Sequence, residues 1–319
     1  MRYRSTLLYL LAAIVLLAFY LYENRKEEKE QAAKEEAKII FPEAVDPLKS
    51  LTLKRGKETI QLEKSSADSE WRIAAPIRGA VDRMTLSRLQ RTLAELKYER
   101  LISERAADLS EFGLDRPLLV ISFRGARGEE SLSIGAQTPM GASVYASKRG
   151  KVYLLSGPQK QELDKSLYDL REKRLLSLEM NKITRVTIER KQSSWHLYKK
   201  EGRWHLEEDE DLKVDQRKVE VFVRPILWAD ALSFEKEAAE DINVYGLHEP
   251  AAKIALSDDA RTEEILFGDP VKDTGETRLY VMVKGKPQIV TVRKRLLADI
   301  PTEKEKIREG EEAKKGGSD

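Results

Sequence analysis

Cysteine is absent from all 319 residues of the chain. Its absence excludes disulfide frameworks, thiolate zinc sites, cysteine nucleophiles and thioether-linked lipid anchors. An excess of charge of one sign is missing too, because 57 Lys and Arg residues face 55 Asp and Glu residues and leave a formal net charge of +2. Such a balance provides no large electrostatic field to attract nucleic acid. We therefore expect no nucleic-acid partner.

Charged residues are also missing from residues 5–22, which are strongly apolar. As a helix this run would be about 27 Å long, close to the roughly 30 Å of a hydrocarbon core. Arg2 and Arg4 precede the run and mixed charges follow it, which favours a cytoplasmic N-terminus with the bulk of the chain outside. Bulky residues at 19–22 favour an uncleaved anchor over the alternative, a cleaved signal peptide. The sequence thus predicts a single-pass transmembrane anchor over residues 1–22.

Two charged segments flank the predicted folded region. Residues 23–44 begin with Glu, Lys, Gln and Ala at helical spacing, and Pro42 and Pro47 interrupt any helix. This pattern predicts a polar helical stalk. Residues 301–319 are charged and finish in Gly-Gly-Ser-Asp, which predicts a disordered tail.

Between these segments the chain repeats itself. Gly113 and Gly246 lie 133 residues apart, and several other landmarks keep the same separation. These pairs are Trp71 and Trp204, Asp82 and Asp215, Pro117 and Pro250, and Gly135 and Gly268. A single offset over these five pairs indicates two tandem modules. We place them at residues 45–177 and 178–300.

Each copy shows the same series of patterns. A hairpin and a third short strand come first, at residues 48–53, 59–63 and 71–73 in copy one. A helix follows behind an N-cap at Asp82, with leucines spaced along one face, and Asp215 opens its counterpart. Four more short strands follow the helix in each copy. The predicted fold class is therefore α+β, with mainly antiparallel sheet and one packed helix per module.

These residues resemble the bacterial family of the domain of unknown function DUF4340. The likeness lies in the Phe-Gly-Leu-Asp-Arg-Pro element at 112–117, the Ile-Gly step at 134–135 with Gly141 and Tyr145, and residues 152–154 and 170–176. The resemblance implies an N-terminal anchor in the bacterial inner membrane. It also implies an accessory role on the periplasmic face of an ABC-type transport complex similar to gliding-motility systems. It implies no catalytic residues.

The repeated Gly-Leu-x-x-Pro segment predicts a tight turn that needs a glycine with positive φ. The residues assigned to these structural turns are Gly113, Leu114, Pro117, Gly135, Gly246, Leu247, Pro250 and Gly268. The functional alternative is that both turns present side chains to a partner. Those side chains are Asp115 and Arg116 in copy one and His248 and Glu249 in copy two.

The sequence contains no strong motif for catalysis, metal binding or phosphate binding. Residues 135–141 lack the Gly-Lys-Ser/Thr ending of a phosphate loop, and the acidic run at 207–211 lacks the glycine and terminal Glu of a calcium loop. No Gly-x-Ser-x-Gly elbow occurs, and the three histidines are not spaced as metal ligands. Trp71 and Trp204 occupy equivalent strand positions and are interpreted as core. We expect no enzyme activity, no metal and no cofactor.

Two functions of different classes remain. The first is a non-enzymatic, membrane-anchored interaction protein of an ABC-type export or gliding-like complex. The alternative is a periplasmic binding module for a glycan, lipid or peptide. The transported or bound substrate and any self-association are left open by the sequence.

Overall fold

The computed structural model describes residues 3–42, 47–64, 70–125, 127–191, 193–272 and 277–309. Within these ranges the side chains of residues 3–15 and 18 are not described. The chain divides into two units, Met1–Glu172 and Lys173–Asp319. The sequence analysis places the module boundary at residues 177 and 178, five residues after the end of the first unit.

Helix α1 (Tyr3–Glu36) runs without interruption from the apolar run into the charged stalk. Among the residues whose side chains the structure describes, no helical segment is both long enough and apolar enough to cross a bilayer. Most of the predicted anchor, residues 1–15 and 18, lies outside those described side chains.

The first unit follows the predicted hairpin, helix and strands and adds several short elements. Its elements are β1 (Ser50–Arg55), β2 (Glu58–Lys64), β3 (Trp71–Ala75), β4 (Gly79–Ala80), α2 (Arg83–Ala94), β5 (Arg100–Ser103), β6 (Leu119–Gly125), β7 (Gly128–Gln137), β8 (Ser143–Lys148), β9 (Lys151–Ser156), α3 (Gly157–Leu163) and α4 (Leu167–Leu170). The strands form one sheet in the order β4-β3-β2-β1-β6-β7-β8-β9-β5.

The second unit contains the same series. Its elements are β10 (Arg185–Arg190), β11 (Ser193–Lys200), β12 (Arg203–Leu206), α5 (Gln216–Leu227), β13 (Ser233–Lys236), β14 (Ala252–Ser257), β15 (Thr262–Pro270), β16 (Arg278–Val283), β17 (Ile289–Arg293) and α6 (Arg295–Ala298). The strand order is β12-β11-β10-β14-β15-β16-β17-β13. Apart from β4, this order matches the first sheet strand for strand, so the sequence repeat is a repeat of fold. The predicted α+β class with mainly antiparallel sheet is confirmed.

One helix covers a face of each sheet. Helix α2 begins at Asp82, whose carboxylate accepts a hydrogen bond from the Thr85 amide at 2.7 Å. Helix α5 begins at Asp215, which accepts from Arg217 and Lys218. Both N-caps were predicted. The buried apolar side chains of each helix join the sheet side chains in the main hydrophobic core of that unit, and those of α2 are Leu86, Leu89 and Leu93. The second unit also has a smaller cluster of Leu247, Leu266 and Ile289.

Isolated backbone pairs connect the two ends of each repeat to the ends of its helix. Ile39 pairs with Lys97 just after α2, and Val81 just before α2 pairs with Arg171. The second unit has the same two pairs, Arg174 with Asp230 and Val214 with Arg308. One copy of the repeat therefore spans residues 39–171 and the other spans residues 174–308.

The predicted disordered tail is wrong for residues 301–309, whereas residues 310–319 lie outside the described ranges. A 3₁₀ turn forms at Lys304–Ile307, and the Ile307 side chain is fully buried in the second core. Lys304 also pairs with Asp209 at 3.0 Å. Burial of Ile307 in the second core therefore fixes the charged segment around it.

The short strands β5 and β13 were also missed. They form the far edge of each sheet, where β5 pairs with β9 and β13 pairs with β17. A register shift interrupts each pairing, so the alternation that predicts a strand is too brief to recognise.

Replacing Ile307 with Ala should lower the free energy of unfolding by about 2–5 kcal/mol, because a fully buried side chain would leave a cavity. Val221→Ala is the matched control, since Val221 is 70% exposed and its truncation should change stability by less than about 0.5 kcal/mol. Urea unfolding followed by circular dichroism measures both. Equal stability of the two variants would show that the tail does not contribute to the second core.

Candidate functional site

The two Gly-Leu turns adopt one geometry. Each ends a 3₁₀ turn, with Gly113 at φ 63° and Gly246 at φ 67°. The Leu114 amide donates to the Leu109 carbonyl at 2.9 Å, and Leu247 repeats the bond to Ile242 at 3.1 Å. Both leucines are buried. The sequence interpretation of these glycines as positive-φ turn residues thus agrees with the geometry.

The Ile-Gly step lies directly against this turn in both units. A Cβ atom placed on Gly135 would overlap the carbonyl oxygen of Phe112, and one on Gly268 would overlap that of Tyr245. These glycines therefore permit the turn backbone to touch the strand. Two motifs that stand about twenty residues apart in the sequence form one contact.

Aromatic rings complete the same contact. The Phe112 and Tyr145 ring centroids are 5.0 Å apart, and Tyr245 and Tyr280 are also 5.0 Å apart. Tyr145 belongs to the motif of the family resemblance, and Tyr280 is its counterpart in the second copy. Turn, glycine and ring pair are present in both units, so we interpret them as architecture.

The side chains of Asp115, Arg116, His248 and Glu249 are exposed on these turns. An apolar side chain accompanies each turn, with Leu118 57% and Val244 71% exposed. Pro117 and Pro250 are partly buried beside them. The turns can therefore reach a partner, as the functional alternative requires.

An ionic group around the buried Glu130, which sequence reasoning missed, lies beside the segment leading from α1 into the first sheet. The Lys148 ammonium donates to the Ile40 carbonyl at 2.8 Å, lies 3.5 Å from the Glu130 carboxylate and stands 4.2 Å from the Phe41 ring centre. Arg149 also pairs with Glu130, at 2.8 Å. Burial lowers the pKa of Lys148, although the Glu130 charge opposes that shift.

The sequence did carry a signal for this group. Glu130 stands two residues before Leu132 and four before Ile134, so strand alternation places its carboxylate on the core face. In the second unit Lys286 makes the corresponding bond, to the Leu175 carbonyl at 2.5 Å. That lysine comes from a different position of the repeat, and within the described ranges no carboxylate pairs with it.

The outer face of α5 carries apolar side chains that α2 lacks. Val221, Pro225 and Trp228 lie one helical turn apart and are exposed, with Trp228 at 52%. Arg224 lies 5.4 Å from the Trp228 ring centre. The positions equivalent to Val221 and Trp228 in α2 hold Arg88 and Glu95. We call Val221, Pro225 and Trp228 the α5 stripe.

His196, His205 and the acidic loop at residues 207–211 make local contacts. His196 Nδ1 lies 2.5 Å from Glu208 Oε1, and the His205 ring stacks on Tyr198. Burial tends to raise the pKa of Glu208, but hydrogen bonds from His196 outweigh it and hold the pKa below its usual value. Across the described ranges no three His, Asp or Glu side chains are grouped to hold a metal ion.

The two equivalent tryptophans differ. Trp204 is 3% exposed and belongs to the second core, as predicted. Trp71 is only partly buried against the first core and lines two surface grooves. The interpretation of Trp71 as simple core is therefore incomplete.

Replacing Gly135 or Gly268 with Ala should destabilise the protein by about 1–3 kcal/mol, because the added methyl group overlaps a backbone carbonyl that cannot move alone. Gly79→Ala is the control, since its Cβ would meet only Ile77 at 3.8 Å. Thermal unfolding measures all three. A control as unstable as Gly135→Ala would contradict the close contact as the cause.

Replacing Lys148 with Met should cost about 3 kcal/mol, because Glu130 would stay buried with a weaker set of partners. Lys286→Met removes one charge-assisted hydrogen bond and should cost about 1.5 kcal/mol. Adding Glu130→Gln to Lys148→Met should restore part of the loss. Urea unfolding of the three variants provides the comparison, and equal losses for both lysines would contradict a role for the buried carboxylate.

The profile of one protein family, described as a domain of unknown function (DUF4340), matches residues 71–235 and again residues 204–314. No curated protein and no solved structure matches the chain. The two matches together extend over well more than half of the 319 residues and include both helices, both Gly-Leu turns and both Ile-Gly steps. The resemblance expected from those motifs is confirmed, and the chain belongs to the DUF4340 family, with two copies of the domain.

Proposed function

We propose that this chain is a membrane-anchored, extracytoplasmic interaction protein without catalytic activity, and that it is an accessory subunit of an ABC-type transport complex. The observation that carries the proposal is the composition of α1. Its described apolar side chains at positions 16, 17 and 19–22 are between 50% and 69% exposed. Because successive helical residues turn by about 100°, they cover every side of the helix. An apolar surface on all sides suits lipid better than water.

The length of α1 supports the same arrangement. A helix of 34 residues is about 51 Å long, which exceeds the roughly 30 Å of a hydrocarbon core. The charged half would extend from the bilayer as a stalk, with Tyr20 and Tyr22 at the outer interface. Arg2 and Arg4 favour a cytoplasmic N-terminus in the bacterial inner membrane.

The α5 stripe supports an interaction role. Exposed Trp, Pro and Val side chains beside an arginine are typical of protein interfaces, in which Trp and Arg are enriched. Since α2 lacks these side chains at the equivalent positions, core packing does not require them. The ABC-type partner itself is inferred from the family resemblance.

Tagged full-length protein, solubilised from native membranes in mild detergent, should co-purify with ABC permease and ATPase subunits in near-stoichiometric amounts. Deleting residues 1–22 should abolish the association. Trp228→Ala combined with Val221→Ser should weaken it while leaving the fold intact, because both side chains are exposed. Mass spectrometry of the eluates, with circular dichroism of the variants, provides the measurement.

Met84→Ser is the matched control, since Met84 is 73% exposed on α2 of the other unit. It should leave co-purification unchanged. If no transport subunit co-purifies, even after crosslinking in native membranes, the accessory role is refuted. Loss of co-purification in the Met84→Ser control would refute the assignment of the partner contact to the α5 stripe.

A further inference from the structure

Trp71 stands between two grooves on the first unit. One groove has a volume of about 620 Å³ and the other about 590 Å³. Both volumes fall within the roughly 300–1,000 Å³ that is usual for small-ligand sites. One side of the indole packs against the first core, so the ring is held in place while its remaining surface lines both grooves.

The equivalent residue of the second unit, Trp204, is only 3% exposed. The Gln216 side chain accepts a hydrogen bond from the Trp204 amide at 2.6 Å and donates to the Trp204 carbonyl at 3.2 Å. The Lys199 ammonium lies 5.1 Å from the Trp204 ring centre. In the first unit Arg83 occupies the position of Gln216, and it pairs with Glu70 instead. The opening at Trp71 is therefore a difference between two copies of one fold.

Among the described residues that line each groove, the charges cancel. Glu63 and Glu70 oppose Arg72 and Arg78 in the larger groove. Glu70 and Glu172 oppose Lys64 and Arg83 in the smaller one. Neither groove has the net positive charge that a phosphate or an acidic polymer requires, nor the net negative charge that selects a cation. Both offer hydrogen-bond donors and acceptors around a flat apolar ring.

The backbone beside the grooves does not favour an extended peptide. Peptides of that kind usually add a strand to an unpaired sheet edge. Here β3 is already paired with β4, and the Ala80 carbonyl of β4 accepts a hydrogen bond from the Glu172 amide at 3.0 Å. Recognition must therefore come from side chains.

We infer that the grooves on either side of Trp71 bind a neutral oligosaccharide. Its ring C–H groups would stack on the indole, and its hydroxyl groups would exchange hydrogen bonds with the paired carboxylate and guanidinium side chains. The inference goes beyond the proposed accessory role and does not depend on it, because the residues involved lie in the first unit and the α5 stripe lies in the second.

The test uses full-length protein in a polyoxyethylene detergent, which has no sugar headgroup that could compete. The probe is a printed array of neutral, N-acetylated, sulfated and uronic-acid glycans, followed by titration calorimetry with the neutral oligosaccharide of strongest signal. Trp71→Ala should weaken that binding by at least about tenfold. Arg83→Gln, which introduces the side chain of the second copy, should weaken it as well.

Trp228→Ala is the control, because it removes an exposed indole from the other unit. It should leave glycan binding unchanged even where it weakens co-purification with transport subunits, so the two proposals can fail separately. Thermal unfolding should show that Trp71→Ala and Trp71→Phe remain folded, and Trp71→Phe should retain part of the affinity. The inference is overturned if no neutral glycan binds, if only acidic glycans bind, or if Trp71→Phe and Arg83→Gln bind no more weakly than the unmodified protein.

Discussion

The helix of each unit is held at both ends by backbone hydrogen bonds from the two ends of its own repeat. The Asp82 amide donates to Leu170 at 2.8 Å, and the Ile40 amide donates to Leu96 at 2.8 Å. In the second unit Asp215 donates to Ile307 at 2.8 Å and Leu175 donates to Ala229 at 3.0 Å. A helix can therefore complete its contacts only when the first and last segments of its repeat are in place. This requirement makes each repeat a single cooperative unit and explains why the charged residues 301–309 are folded against the second unit.

The sequence was sufficient for those features that depend on local chemistry. An Asp before a stripe of apolar residues identified each helix, and the shared offset identified the duplication. The features that depend on distant residues were not predictable in the same way. Ile307 looked like an isolated apolar residue in a charged tail, since the core it enters is formed by strands far away in sequence. Likewise, the spacing of Gly113 and Gly135 in the sequence does not show that Gly135 packs against the backbone of the turn at Gly113.

Equivalent positions in the two copies share the same backbone structure, but their exposed side chains differ. Trp71 and Trp204 occupy the same place in the fold, but Trp204 is 3% exposed whereas Trp71 is only partly buried and lines two grooves. Lys148 and Lys286 make the same bond from different positions of the repeat. The core and the glycine contacts constrain both copies alike, whereas exposed residues are free to diverge. Different surface roles for the two copies are therefore compatible with one shared architecture.

The short connection between α1 and the buried residues Ile40 and Phe41 has a mechanical consequence. The helix ends at Glu36, and by Ile40 and Phe41 the chain is buried in the first core beside Lys148. With α1 in a bilayer, the stalk would act as a stiff spacer of set length, unlike a slack tether. A pull on the membrane helix would be applied directly to the Ile40 carbonyl and the Phe41 ring, so the first unit would respond to force through its core.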